Sequence, residues 1–239
     1  MGQPASPRPW TWTARRISPY CSGVTAQWNQ IAWTAGALAA AVPAGWVARR
    51  IVRHYAEPPP PLALTLAATA AIFTWAAAVT PAVMVLALSL VLGWMLLTLA
   101  LVDVRAFRLP DPLTLPLLAA GLVGAFLLPD LLPDPPLWNH LAGAAIGYGV
   151  LAAIGWAFWR VRGEEGLGLG DAKLLGAGGA WLGWRALPSV LIIACLLAFA
   201  LIAIRAAFQG PASVRRRIAF GAPLCAAIWV VWLAGRLAT

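Results

Sequence analysis

Ala82-Val-Met-Val-Leu-Ala-Leu-Ser-Leu-Val-Leu-Gly-Trp-Met-Leu-Leu-Thr-Leu-Ala-Leu-Val102 runs for twenty-one residues without a charge and is closed by Asp103. A helix crosses the hydrocarbon of a bilayer in about 20 residues, with roughly 17 to 25 tolerated. The run therefore reads as a transmembrane helix, with a carboxylate where it meets water. Outward from it, similar apolar runs occupy 30–48, 62–79, 113–129, 139–159, 171–185, 187–208 and 219–236. Backbone groups in lipid must be satisfied within the segment, and strand-like alternation is absent, so the spans are helices. The expected fold class is all-α, a polytopic integral membrane helical bundle of about eight transmembrane helices.

Composition agrees. Hydrophobic residues make up 62% of the chain and charged residues 10%, with a mean hydropathy of +0.80, which excludes an ordinary water-soluble core. The net charge of +9 does not point to nucleic acid, because the basic residues are dispersed between apolar runs rather than gathered in a stripe. Cys21, Cys195 and Cys225 form no C-x-x-C pair, so no cysteine-built metal site is encoded. Neither a metal nor a cofactor is expected.

Charge asymmetry sets the orientation. If sides alternate from the first span, eleven arginines fall on one face, in loops around 49–53, 105–108, 160–162 and 205–217. Five fall on the other, Arg8, Arg15, Arg16, Arg185 and Arg236. By the positive-inside rule the richer face is cytoplasmic. The run 171–185 is short, reaching about 22 Å at ~1.5 Å per residue. Were it merely to re-enter, the 205–217 loop would land outside and the asymmetry would collapse. Eight crossings with both termini outside are therefore expected, with 1–29 a polar extracytoplasmic tail and 30–239 a single transmembrane domain.

Several features have purely structural readings. Trp138, Trp156, Trp159, Trp181 and Trp184 near span ends suit an aromatic belt. Gly143-x-x-x-Gly147 and Gly179-x-x-x-Gly183 suit close helix approach. Asp111-Pro112 reads as an N-cap with proline at the first helical position.

Chemistry enters through the carboxylates. The chain has eight acidic residues, and one held at a membrane boundary asks for a functional explanation. Asp103 ends the third span as it arrives at the cytoplasmic side, and Asp171 begins the sixth as it leaves that side, so the two share one depth. Two carboxyls around one water do not both ionise comfortably: one keeps a proton and the other is an anion. Such a pair performs general acid–base hydrolysis without a covalent intermediate. Gly166, Gly168 and Gly170 strip side chains from the approach to Asp171 and read as an open substrate-binding loop. Lys173, the chain's one lysine, either pairs with a carboxylate or snorkels to the interface.

Gly166-Leu-Gly-Leu-Gly170-Asp171-Ala-Lys173, continuing into Gly179-Ala-Trp-Leu-Gly-Trp184, resembles the signature of bacterial prepilin peptidases, the type IV leader peptidases of the GxGD aspartyl protease class. Asp103-Val-Arg-Ala-Phe-Arg-Leu-Pro110-Asp111 resembles the family's other block. Arg217-Ile-Ala-Phe220-Gly221-Ala-Pro223 is similar to its carboxy-terminal element, with Ala219 and Ala222 as departures. The resemblance covers roughly residues 85–236. It implies a bacterial inner-membrane endopeptidase that removes the short basic leader of prepilin or pseudopilin precursors at the cytoplasmic face, cutting after a glycine, with Asp103 and Asp171 catalytic. Two-function members also methylate the product with S-adenosylmethionine and carry two C-x-x-C pairs after the first span. Here Arg49 to Pro61 fills that place without cysteine, so proteolysis without methylation, or with methylation by a separate enzyme, is expected. The rival readings are a GxGD protease with another membrane substrate and a proton- or ion-coupled transporter.

Overall fold

The computed structural model describes residues 19–80, 82–163, 168–209 and 219–237, and side chains between Gln30 and Arg236. Gly166, the arginines at 8, 15, 16 and 215–217, and the first part of the 1–29 tail lie outside the described residues. The helices are α1 (Pro19–Tyr55), α2 (Leu62–Val79), α3 (Val83–Ala106), α4 (Asp111–Leu127), α5 (Leu137–Arg162), α6 (Leu169–Leu182), α7 (Leu187–Gln209) and α8 (Gly221–Leu237). No strand occurs among the described residues. Five helices are long and apolar enough to cross a membrane, and α4 and α8 are shorter apolar helices. The protein is an all-α polytopic membrane protein.

The helix ends follow from local chemistry. Helix α3 stops at Phe107, which adopts a left-handed conformation (φ 51°) while its N–H donates to the Asp103 carbonyl. Gly163 closes α5 in the same way (φ 71°), bonded to the Trp159 carbonyl. In the apolar interior, the hydroxyls of Thr69, Thr80, Ser89 and Thr98 each donate to the carbonyl four residues earlier at 2.6–2.8 Å, so buried hydroxyls are satisfied within their own helix. Ser89 also accepts the Trp232 indole N–H at 2.8 Å, tying α3 to α8.

Helix α6 is the hub. Its residues from Leu174 to Leu182 are all buried, between α5 on one flank and α4 and α8 on the others. It runs antiparallel to α5, since Gly143 meets Gly179 and Gly147 meets Leu175. It runs parallel to α4, since Lys173 meets Asp111 and Trp181 reaches Leu117. Although only 14 residues long, α6 lies backbone to backbone against α5 from Leu175 to Gly183. Glycine makes this possible: a Cβ on Gly143 would stand 2.5 Å from the Gly179 carbonyl oxygen, and a Cβ on Gly179 would run into the Gly143 carbonyl. The paired backbones approach as small-residue seams allow.

Trp181 is not in an aromatic belt. It is 1% exposed, its indole N–H donates to the Leu117 carbonyl at 2.8 Å, and Trp232 meets it edge-to-face. Gly121 vacates its seat, for a Cβ there would lie 2.6 Å from Trp181 Cδ1. Trp138, Trp156, Trp159 and Trp184 do face outward. Helix α7 turns Ile192, Leu196, Phe199, Ile204 and Phe208 away from the bundle, the lipid-facing surface that a membrane protein presents.

The two ends differ. One gathers Arg49, Arg50, Arg53, Arg105, Arg108, Arg160 and Arg162 with both aspartates of interest. The other holds Arg185 paired with Asp134 at 2.6 Å and Asn139 bonded to the same carboxylate.

Candidate active site

Asp103 lies one turn inside the end of α3 and is 4% exposed. Its Oδ2 accepts the backbone N–H of Ala222 at 2.9 Å, in the first turn of α8. A helix N-terminus presents unpaired N–H groups and the positive end of the macrodipole, so it is a natural seat for a carboxylate. Space is tight there. A Cβ on Gly221 would lie 2.8 Å from Asp103 Oδ2, so glycine lets the start of α8 close on this side chain.

Asp171 lies in the first turn of α6, half-buried, its N–H donating to the Gly168 carbonyl at 3.1 Å. Among the described residues no hydrogen bond reaches its carboxylate. The Asp103 and Asp171 carboxylates lie within electrostatic range of each other, and the buried Cys225 follows Ala222 by three residues in α8. Three helices thus converge: α3 and α6 each bring a carboxyl, and α8 brings backbone donors and Cys225. The two histidines stand apart, His140 buried against the Ala180 carbonyl in the other half of the bundle and His54 stacked edge-on with Tyr55. No cluster of three or more metal-binding side chains occurs among the described residues.

Other residues singled out by sequence find different partners. Asp111 does not cap α4. Pro110 occupies the cap position, without a side-chain cap bond, and Asp111, the first helical residue, accepts two hydrogen bonds from Lys173 Nζ at 2.6 and 2.8 Å. A proline cannot offer a capping oxygen, and the Asp111 carboxylate instead reaches across to α6. This settles Lys173 as a paired cation. Both side chains are substantially exposed, at 30% and 52%, so the pair is worth about 0.2–1 kcal/mol. Asp111→Asn is accordingly expected to lower unfolding stability by no more than about 1 kcal/mol, read by thermal melting of the purified protein in detergent.

Gly168 stands clear of its surroundings, in keeping with an open approach, whereas Gly170 does not. A Cβ on Gly170 would lie 3.0 Å from Leu109 Cβ, so this glycine seats the α3–α4 connector on the start of α6. Arg105 and Arg108 donate to the carbonyls of Pro58 and Tyr55, and Arg49 to that of Pro60. Together they fasten the α1–α2 connector beside the site. Sequence reasoning missed Leu109, Ala222 and Cys225 as site residues. The one signal was the Phe220-Gly221-Ala222-Pro223 element, whose role as a helix start under Asp103 depends on a contact across 119 residues.

Residues 90–204 match the type IV leader peptidase family. The chain is similar to a prepilin leader peptidase/N-methyltransferase of Aeromonas salmonicida, with 41% identity over 151 residues, covering 62% of this chain and 49% of the relative. A protein of the same name from Escherichia coli K12 is 49% identical over 100 residues, covering 42% of this chain and 43% of the relative. One from Burkholderia pseudomallei is 41% identical over 138 residues, covering 55% and 41%. The chain thus spans about half the length of the curated relatives it matches. No solved structure matches it.

Proposed function

We propose, from the match of residues 90–204 to the type IV leader peptidase family, a membrane aspartyl endopeptidase that removes the short basic leader of type IV prepilin or pseudopilin precursors. The observation that carries this reading is the convergence of Asp103 and Asp171, 68 residues apart in the chain, at one end of the bundle. A water held between them is the nucleophile. The ionised carboxyl takes its proton as the oxygen attacks the scissile carbonyl, and the protonated carboxyl hydrogen-bonds the developing oxyanion. Collapse breaks the C–N bond and a carboxyl proton passes to the leaving amine. The proton taken from water balances the one given to the amine, so the pair returns to one acid and one anion.

The basic end of the bundle faces the cytoplasm of a bacterial inner membrane, following the bias of arginines toward the inner side. A precursor with a basic leader followed by an apolar helix fits that placement, its helix in the bilayer and its leader in water. The transporter reading is disfavoured because both acids sit in terminal turns of their helices rather than near the midplane, where coupled transport sites lie.

The test incubates the purified protein in lipid nanodiscs with a prepilin-type precursor and a labelled methyl donor. Intact-mass measurement is expected to show loss of the leader, with the hydrophobic segment left at the new amino terminus and no label incorporated. Failure to cut a precursor that a relative cuts in parallel overturns the protease reading. Labelled product overturns proteolysis without methylation.

A further inference from the structure

Leu109 lies where the elements of the site meet. The chain leaves α3 after Ala106, turns back through the left-handed Phe107 and drops Leu109 between the starts of α6 and α8. Leu109 Cδ1 lies 3.0 Å from the point where a Cβ on Gly221 would stand, and Asp103 Oδ2 lies 2.8 Å from that same point. On its other side, Leu109 Cβ is 3.0 Å from the corresponding point on Gly170, the residue before Asp171. One partly buried leucine therefore fills the space bounded by Asp103, Gly221 and the turn that carries Asp171.

We propose that Leu109 is a specificity-determining residue, fixing how large a side chain is accepted at the position just before the scissile bond. The proposal rests on the protease reading above. A peptide whose apolar helix follows the cut enters from the bilayer side, so residues after the junction lie against the membrane-embedded helices. The residue before the junction lies on the water side of Asp103, where the connector 107–110 runs. There Leu109 leaves little room for a side chain. The crowding cannot ease by retreat, since Gly170 and Gly221 have already given up their own side chains to admit Leu109. Shortening Leu109 opens a methyl-sized space next to the acid.

The test measures kcat/KM for two precursors differing only in Gly or Ala before the junction, on wild type, Leu109→Val and Leu109→Ala. Wild type is expected to favour Gly strongly. Leu109→Ala is expected to reduce that preference by about tenfold or more, the order of discrimination that a methylene in an apolar pocket supplies, with Leu109→Val between. Equal Gly-to-Ala ratios in all three proteins overturn the proposal, as does an equal loss on both precursors, which marks Leu109 as merely structural. If Leu109→Ala does not melt cooperatively, Leu109→Val against the size-conserving Leu109→Met carries the comparison, and identical ratios in those two overturn it. A wild type that cuts neither precursor instead removes the protease reading itself, a different outcome.

Discussion

Asp171→Asn and Asp103→Asn are each expected to lower precursor cleavage by more than about 10³-fold while leaving the fold intact. Asparagine keeps the volume and planarity of the side chain, so neither α3 nor α6 must move. At position 103 its carbonyl oxygen still accepts the Ala222 N–H that Asp103 Oδ2 accepts at 2.9 Å. What is lost is proton exchange. An amide neither takes a proton from water nor donates one in the way a carboxylic acid does. General acid–base catalysis contributes roughly 10²–10⁴-fold per positioned group, and removing one member strands the other without its complementary protonation state. The measurement is initial rate of leader release, with melting of each variant beside it. Retention of more than about a tenth of the wild-type rate by either variant, against the 10²-fold floor for acid–base loss, excludes that aspartate from the mechanism. Asp103→Glu offers a sharper contrast, since a longer arm runs into the start of α8, where Asp103 Oδ2 already lies 2.8 Å from the point at which a Cβ on Gly221 would stand. It keeps the charge and loses the placement, so it too is expected to be inactive.

The spans were legible because a bilayer imposes length and apolarity on every crossing segment, and those demands are written locally. The run 62–79 coincides with α2, and the other helix ends from α2 to α8 fall within about four residues of the sequence reading. That the two aspartates lie in terminal helix turns was legible for the same reason: each ends or begins an apolar run. Residue-level partners were not. Trp181 sits near a span end as Trp184 does, yet one is in the core and the other faces outward, a distinction made by Gly121 on a different helix. Asp111 followed by proline has the local form of a cap, and only the parallel course of α4 and α6 brings Lys173 within 2.6 Å. Arg105 and Arg108 look like orientation charges and also bind carbonyls about fifty residues earlier. Leu109, Ala222 and Cys225 became visible once α8 was seen to start beneath Asp103. Each of these depends on which helix lies beside which, and the apolar pattern of a helix surrounded by lipid and protein carries little such direction.

Gly179→Val is expected to be the most damaging substitution outside the aspartates. A Cβ at this position meets the carbonyl of Gly143, which is backbone and cannot rotate away, and Gly143 is equally close in return. The seam continues one turn along, where a Cβ on Gly147 would lie 2.7 Å from the Leu175 carbonyl oxygen. Valine must therefore push α5 and α6 apart over their whole contact. Overpacking typically costs about 1–3 kcal/mol, and with rigid backbone on the opposing face the upper end is expected. Helix α6 is buried from Leu174 to Leu182, so displacement from α5 drives it against α4 and α8, and its first turn carries Asp171 away from Asp103. Stability and cleavage should fall together. Gly149→Val is the matched control, on the same helix as Gly143 with nothing within 4 Å of the added Cβ, and should leave both nearly unchanged. Thermal melting and leader release on the two variants decide the matter. If Gly179→Val melts and cleaves like Gly149→Val, then α5 and α6 do not depend on direct backbone contact, and the short α6 must be held in place some other way.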